Sequence, residues 1–234
     1  MKRLLLIDCY LDERGCAKNY VPASPRARWD VVRAVRETLP ARHLQYDGVV
    51  ISGSAASVLD EPSWLAPLED LVRERVASGA PLLGICFGHQ VLARALHGAE
   101  AVRRSPTPEF GVVRVDAPSA HPLLESFGAR FECFASHTDE VVSGIPGLEI
   151  LARSEHCAVQ AYQVEARPAF GVQFHAEMPR AEALELVSER ADRLWDRGLD
   201  PSLVAAKLVR HEARATSLLE GFLKASAVAS HPSP

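Results

Sequence analysis

Apolar and polar positions give the two halves of this 234-residue chain different rhythms. In the first half, short continuous apolar runs alternate with stretches of helical spacing. Residues 4–8, 49–52 and 81–85 are the continuous runs, and each reads as a strand. Strands covered on both faces have this unbroken character, because neither set of side chains meets water. Residues 26–39, 64–78 and 87–97 carry apolar positions at helical spacing. The inward candidates are Trp29, Val32, Ala34 and Val35 in the first helix, and Leu65, Leu68, Leu71 and Val72 in the second. Strand and helix in alternation predict parallel βαβ units.

The second half is shorter in its steps. Strand candidates fall at residues 111–115, 130–134, 140–143, 148–152, 158–164 and 169–174, separated by turn signals such as Pro146-Gly147 and Arg167-Pro168. These are expected to finish or extend the sheet as antiparallel additions. From Arg180 to Ser226 the spacing is helical again, broken near Gly198 and Pro201, with Leu184, Leu186, Val187, Ala191 and Leu194 suggesting an amphipathic face. Ser230 to Pro234 reads as a frayed tail. The expected organisation is an α/β domain over residues 1–178 and a helical extension over 179–234.

Composition narrows the classes. Apolar residues make up 47%, enough for a large core, and the formal net charge of −4 argues against a broad nucleic-acid face. The clusters Arg103-Arg104 and Arg26 to Arg28 read as solvated surface. No run approaches the ~20 apolar residues of a membrane helix. Met1-Lys2-Arg3 before Leu4-Leu5-Leu6-Ile7 superficially resembles a signal peptide. Asp8 ends the run and no small-residue cleavage site follows, so a buried first strand is the better reading. The five cysteines are odd in number and match no zinc spacing, which points to free thiols in the cytosol and to no metal. For Cys133 and Cys157 the plain account is a small buried hydrophobe.

Cys86 is different. Gly84-Ile85-Cys86-Phe87-Gly88-His89-Gln90 lies where an apolar strand ends and an amphipathic helix begins. A nucleophile in a G-x-C-x-G turn is the cysteine counterpart of the serine nucleophile elbow. The turn is so sharp that its flanks must carry almost no side chain, which glycines satisfy. The thiol is then held over a helix N-terminus, whose free N–H groups and dipole favour thiolate. An unperturbed cysteine, at a pKa of about 8.5, is ionised only to a few per cent at neutral pH. Glycines also flank many ordinary strand ends, so these residues alone leave a plain turn open.

Amide cleavage by a thiol needs a histidine to protonate the leaving amine. Of nine histidines, only His175 closes a strand-like run, 170–175, and Glu177 follows two residues later. Residues two apart on an extended chain share a face, so Glu177 can hold the imidazole as a triad carboxylate does. A satisfied structural histidine is the competing account. Ser52-Gly53-Ser54-Ala55-Ala56-Ser57 after the second strand is a small-residue loop, suited either to donating N–H groups to a substrate oxygen or to a plain surface turn.

Together, Gly84 to Gln90 and Gly171-Val172-Gln173-Phe174-His175-Ala176-Glu177 resemble the class I (triad) glutamine amidotransferases, most of all the glutaminase domain of GMP synthase and its stand-alone relatives. Ser52-Gly53-Ser54, Glu109-Phe110-Gly111 and Ser136-His137-Thr138-Asp139 agree in order and kind, over roughly Leu4 to Glu177. The resemblance implies a flavodoxin-like three-layer core and hydrolysis of the glutamine side-chain amide through a γ-glutamyl thioester, with ammonia released and no cofactor. By position it makes Cys86 the nucleophile, His175 the acid/base and Glu177 its orienter. Gly53 and Phe87 would supply oxyanion N–H groups, and Gln90, Ser136 and Asp139 would hold the substrate's α-amino and carboxylate ends. His89 and His137 read as structural, since neither has an orienting carboxylate at strand or helix spacing that would set it up as the base. Ala176 stands where the family often has proline, and Thr138 where the nearest relatives have glycine. Both departures bear on substrate identity.

No phosphate-binding loop or Ser-Gly-Gly-Val-Asp-Ser segment occurs, so this chain is not expected to activate an acceptor with ATP. Two enzymatic readings follow: a glutaminase that passes ammonia to a separate synthase, or a hydrolase of γ-glutamyl peptides and conjugates with the same Cys-His-Glu set. A binding module that kept the fold is the third.

Overall fold

The computed structural model describes residues 1–13 and 15–229; the expected frayed tail, 230–234, lies outside them. The chain runs β1 (Lys2–Asp8), α1 (Ala17–Tyr20), β2 (Ala27–Arg33), β3 (Gly48–Ile51), α2 (Leu65–Ala77), β4 (Leu82–Ile85), α3 (Phe87–His97) and β5 (Val102–Asp116). It continues through β6 (Arg130–Val141), β7 (Leu148–Ala152), β8 (Ala161–Val164) and β9 (Ala169–Val172). Four helices follow, α4 (Arg180–Glu189), α5 (Ala191–Asp196), α6 (Pro201–Lys207) and α7 (Ala215–Ala229). No helix among the described residues is long and apolar enough to cross a membrane.

Seven strands form one sheet in the order β2-β1-β3-β4-β9-β8-β7. The first five are parallel, and β8 and β7 add on antiparallel. Alternation along each strand builds a core on both faces. Leu5, Ile7, Val49 and Ile51 point to α2 and α3. Leu6, Val50, Leu83 and Phe170 point the other way, to Tyr20 and to Leu218, Leu219 and Phe222 of α7. The result is the parallel βαβ build expected from the strand and helix rhythm, in the three-layer, flavodoxin-like arrangement that the family resemblance implies.

The helix expected over 26–39 is not there. Residues 27–33 form β2, paired in parallel with β1 from Lys2–Ala27 to Asp8–Arg33. The periodicity of Trp29 and Val32 suits either state. The β-branched pair Val31-Val32 beside Trp29 favours a pleated surface, and the open edge of β1 decides the matter. The second half also departs in part. Residues 130–134 and the first half of 140–143 belong to the single strand β6, and β5 is fifteen residues long. These two form a separate antiparallel hairpin instead of extending the main sheet. Polar Ser136 to Asp139 interrupts the apolar pattern because this part of β6 faces the cleft beside Cys86, not the core.

Helices α4 to α6 pack on that hairpin through Phe134, Met178, Ala183, Val187, Val204 and Leu208. The helical extension is therefore seated beside the carboxyl ends of the strands.

Arg75 of α2 is fully buried and donates to the carbonyls of His43 (2.5 Å) and Pro81 (2.7 Å), tying the helix to the entries of β3 and β4. Burial alone pushes its guanidinium down to about 10. Arg75→Ala should cost about 3 kcal/mol, since it leaves buried carbonyls unpaired and opens a cavity. Urea unfolding checks this as a lower midpoint at unchanged slope; an unmoved midpoint would contradict it.

Candidate active site

The carboxyl ends of β3, β4 and β9, three neighbouring parallel strands, deliver the predicted residues to one place. Open α/β sheets bind ligands outside the carboxyl ends of their strands. Cys86 follows β4, Ser52 and Gly53 follow β3, and His175 lies three residues beyond β9. Backbone hydrogen bonds fasten the three ends together. The amide of Cys86 donates to Val172 (2.8 Å) and that of Gly88 to Ser52 (3.2 Å).

Cys86 has φ 50° and ψ −100°, a left-handed geometry rare for a residue with a side chain. Such strain costs roughly 1–3 kcal/mol and persists only where surroundings impose it. They do so here. A Cβ on Gly84 would stand 2.3 Å from the carbonyl oxygen of Gly88, and one on Gly88 2.4 Å from that of Ile51. The elbow and the end of β3 thus touch backbone to backbone. Helix α3 starts at Phe87, whose first-turn amide has no acceptor within the helix.

His175 is buried, and its Nδ1 is 2.7 Å from Oε1 of buried Glu177. The strand-like run expected over 170–175 stops at Val172. His175 is held instead by an isolated bridge, its amide donating to Phe134 of β6 at 2.8 Å. Burial would lower the imidazolium pKa. The Glu177 carboxylate and then Cys86 outweigh it, and the value is raised to about 10. Near neutrality the ring is cationic. With Nδ1 on Glu177, Nε2 is the nitrogen left for the thiol. The Gly53 backbone lies against both residues, since a Cβ there would stand 2.8 Å from His175 Cε1 and 3.5 Å from Cys86 Cβ.

Gln90, Ser136 and Asp139 all line the cleft that holds Cys86, but each already has protein partners. Gln90 Nε2 donates to the carbonyl of Asp139 (2.9 Å) and to Gln173 Oε1 (3.2 Å). The Asp139 carboxylate accepts from Arg104 (2.7 Å) and Ser57. The Ser136 hydroxyl accepts from Arg190 Nη1 at 2.6 Å. Thr138 is exposed on the cleft wall.

Two structural features escape the sequence. His137 does have a carboxylate, Glu109, at 2.9 Å from its Nε2. It comes from directly across the β5–β6 ladder, where no local spacing reveals it. Arg190, between α4 and α5, reaches the cleft from the extension, and nothing in its neighbours marks it. His89 is fully buried, and burial drives it down to about 3, so it stays neutral.

One cluster invites comparison with a metal site. Ligating atoms of Glu109, His137 and Cys157 lie within 4.8 Å of one another. The set does not fit a resident cation. Glu109 and His137 satisfy each other, Ser154 and Gln160 donate to the same carboxylate, and burial pushes the Cys157 thiol up to about 12. It is a hydrogen-bonded strut under the cleft.

Fold and site together define an α/β protein with a cysteine at a strained strand-to-helix elbow, faced by a carboxylate-held histidine. The chain matches glutamine amidotransferase class-I over residues 6–188, and it belongs to that family. It is 37% identical to a glutamine-hydrolysing GMP synthase subunit from Sulfurisphaera tokodaii over 137 residues, 58% of this chain and 70% of the relative. Against the like-named subunit from Ignicoccus hospitalis it is 35% identical over 153 residues, 65% of this chain and 78% of the relative. Among solved structures, a glutamine amidotransferase from Thermotoga maritima superposes with a TM-score of 0.77 at 23% identity, covering 97% of this chain and 98% of that one. A glutamine amidotransferase from Methylobacillus flagellatus gives 0.71 at 28% identity, covering 97% and 92%.

Proposed function

We propose that this chain hydrolyses the side-chain amide of glutamine through a γ-glutamyl thioester on Cys86 and releases ammonia for a separate synthase. The observation that carries this reading is the meeting of Cys86, His175 and Glu177 at the ends of adjacent strands, where the carboxylate beside His175 favours its charged form. The sulfur adds to the amide carbon, and the developing oxyanion takes N–H groups of Gly53 and Phe87. His175 gives its Nε2 proton to the departing nitrogen as the C–N bond breaks, leaving the thioester and neutral imidazole. The imidazole then takes a proton from water, whose oxygen attacks the thioester. Glutamate departs, and the sulfur and imidazolium are restored. The net change is glutamine plus water to glutamate plus ammonia. Glu177 holds the ring in register throughout.

A second reading has its own support. On the His175 side, a separate cavity of about 240 Å³ is lined by Tyr10, Leu11, Met178 and Leu186 among others. Departing ammonia needs far less room. An amine with a body of its own would use it, as in a γ-glutamyl peptide or conjugate.

Glutamine and a panel of γ-glutamyl dipeptides, assayed together for glutamate release, separate the two. Glutamate and ammonia in equal amounts from glutamine, with the highest kcat/KM, support the first. A higher kcat/KM for a dipeptide supports the second. No turnover of any γ-glutamyl compound would sink both.

A further inference from the structure

Arg190, Arg193 and Arg197 all line the cleft that contains Cys86. Arg190 also lines the cavity on the His175 side, and so stands at the divide between the two. It is held there: Nη1 donates to Ser136 Oγ at 2.6 Å, and the guanidinium lies over the Phe110 ring at 5.7 Å. Arg193 and Arg197 are exposed, and neither takes part in an ion pair among the described residues.

The carboxylates of the same cleft do not balance these charges. Glu109 is engaged by His137, Ser154 and Gln160, and Asp139 by Arg104 and Ser57. The opposite cavity has the reverse character, with Asp12, Glu182, Glu185 and Glu189 on its walls against Lys18 and Arg190. Burial, with repulsion from Arg193 and Arg197, also holds the Arg190 guanidinium below its ordinary value against the pull of Cys86 and Glu189. A cleft of this kind favours an incoming anion.

The acyl part of the substrate must lie on the Cys86 side, while the amine leaves past His175. A glutamyl group carries one anion, its α-carboxylate, and a guanidinium matches a carboxylate in shape and charge. We propose that Arg190, supported by Arg193 and Arg197, receives the α-carboxylate of the glutamyl substrate, so that the helical extension selects for a free carboxylate. The identity of the substrate rests on the amide-hydrolysis reading above; the anion site does not.

Two measurements keep those apart. The first compares glutamine with glutamine α-amide, which lacks the carboxylate, in wild type, Arg190→Ala, Arg190→Lys and Arg193→Ala/Arg197→Ala. Wild type should prefer glutamine by about 10- to 100-fold in kcat/KM, the worth of a charged hydrogen bond. Arg190→Ala should lose most of that preference through a higher KM for glutamine, Arg190→Lys should regain part of it, and the double variant should weaken it less. The second compares alkylation of Cys86 by iodoacetate and by neutral iodoacetamide, a reaction that needs no amidase activity. The iodoacetate-to-iodoacetamide rate ratio should fall about tenfold in Arg190→Ala if the cation guides anions to the sulfur. A changed alkylation ratio in a protein that cleaves no γ-glutamyl amide would keep the anion site and discard the glutamyl substrate. Unchanged ratios in both measurements, in variants with wild-type circular dichroism, overturn the proposal. Should Arg190→Ala not fold, the lysine and double variants carry the same comparison.

Discussion

Replacing Cys86 with alanine is expected to lower kcat for amide cleavage by about 10⁴-fold or more, because removing a nucleophile removes the whole covalent route. The fold should survive. Apart from His175, the sulfur makes only a weak approach to the Ser136 carbonyl, at 3.9 Å, and the side chain is small. Unfolding should shift by about 1 kcal/mol, the scale of one small buried side-chain atom. The variant separates the elbow from every other thiol. Cys9, Cys16, Cys133 and Cys157 are buried, and burial pushes each of their pKa values upward, so none is ready to take over. Acid quenching of the wild type during turnover should trap a γ-glutamyl adduct on Cys86, seen by peptide mass spectrometry. Substantial activity in Cys86→Ala, or an adduct on another residue, would place the chemistry elsewhere.

Glu177→Gln should cost about 10²- to 10⁴-fold in kcat with little change in KM, since a neutral partner no longer stabilises the imidazolium or selects its tautomer. The pH dependence carries the sharper test. His175 is raised from 6.5 to about 10 because Glu177 and Cys86 outweigh its burial. The wild-type rate should therefore fall as pH rises through about 10, where the proton needed by the leaving amine is lost. Without the Glu177 charge, burial is opposed less, and this alkaline limb should move to lower pH. Stability follows the same sign. A pKa raised on folding contributes fully below the unfolded value of 6.5, and the contribution is lost as pH rises toward 10. In Glu177→Gln, that decline should still begin near 6.5 but end at a lower pH and be smaller. A pH–rate profile unmoved by the substitution would mean that another group sets the limb.

These expectations rest on features of unequal visibility in the chain. The elbow is legible because its cause is local. Gly84 and Gly88 are needed where two backbones come within van der Waals contact, and the strand before and helix after declare themselves by period. Glu177 is legible for a related reason, being two residues from His175, although the chain there bends instead of continuing the strand. The segment at 26–39 misleads because its apolar spacing fits both a helix and an edge strand, and only the free edge of β1 distinguishes them. The hairpin β5–β6 reads in pieces because part of it points polar side chains into the cleft, which breaks the two-residue alternation a half-buried strand would show.

By itself, then, the order of residues determined the βαβ rhythm, the strained turn at Cys86 and the His175–Glu177 pair, each a matter of near neighbours and steric necessity. Tertiary structure alone decided which strand takes the sheet edge, that Glu109 meets His137 across 28 residues, and that Arg190 reaches Ser136 across 54. Those contacts join side chains whose own surroundings in sequence are ordinary. Their partners are chosen by how the hairpin and the helical extension pack at the carboxyl ends of the strands, and no local period encodes that packing.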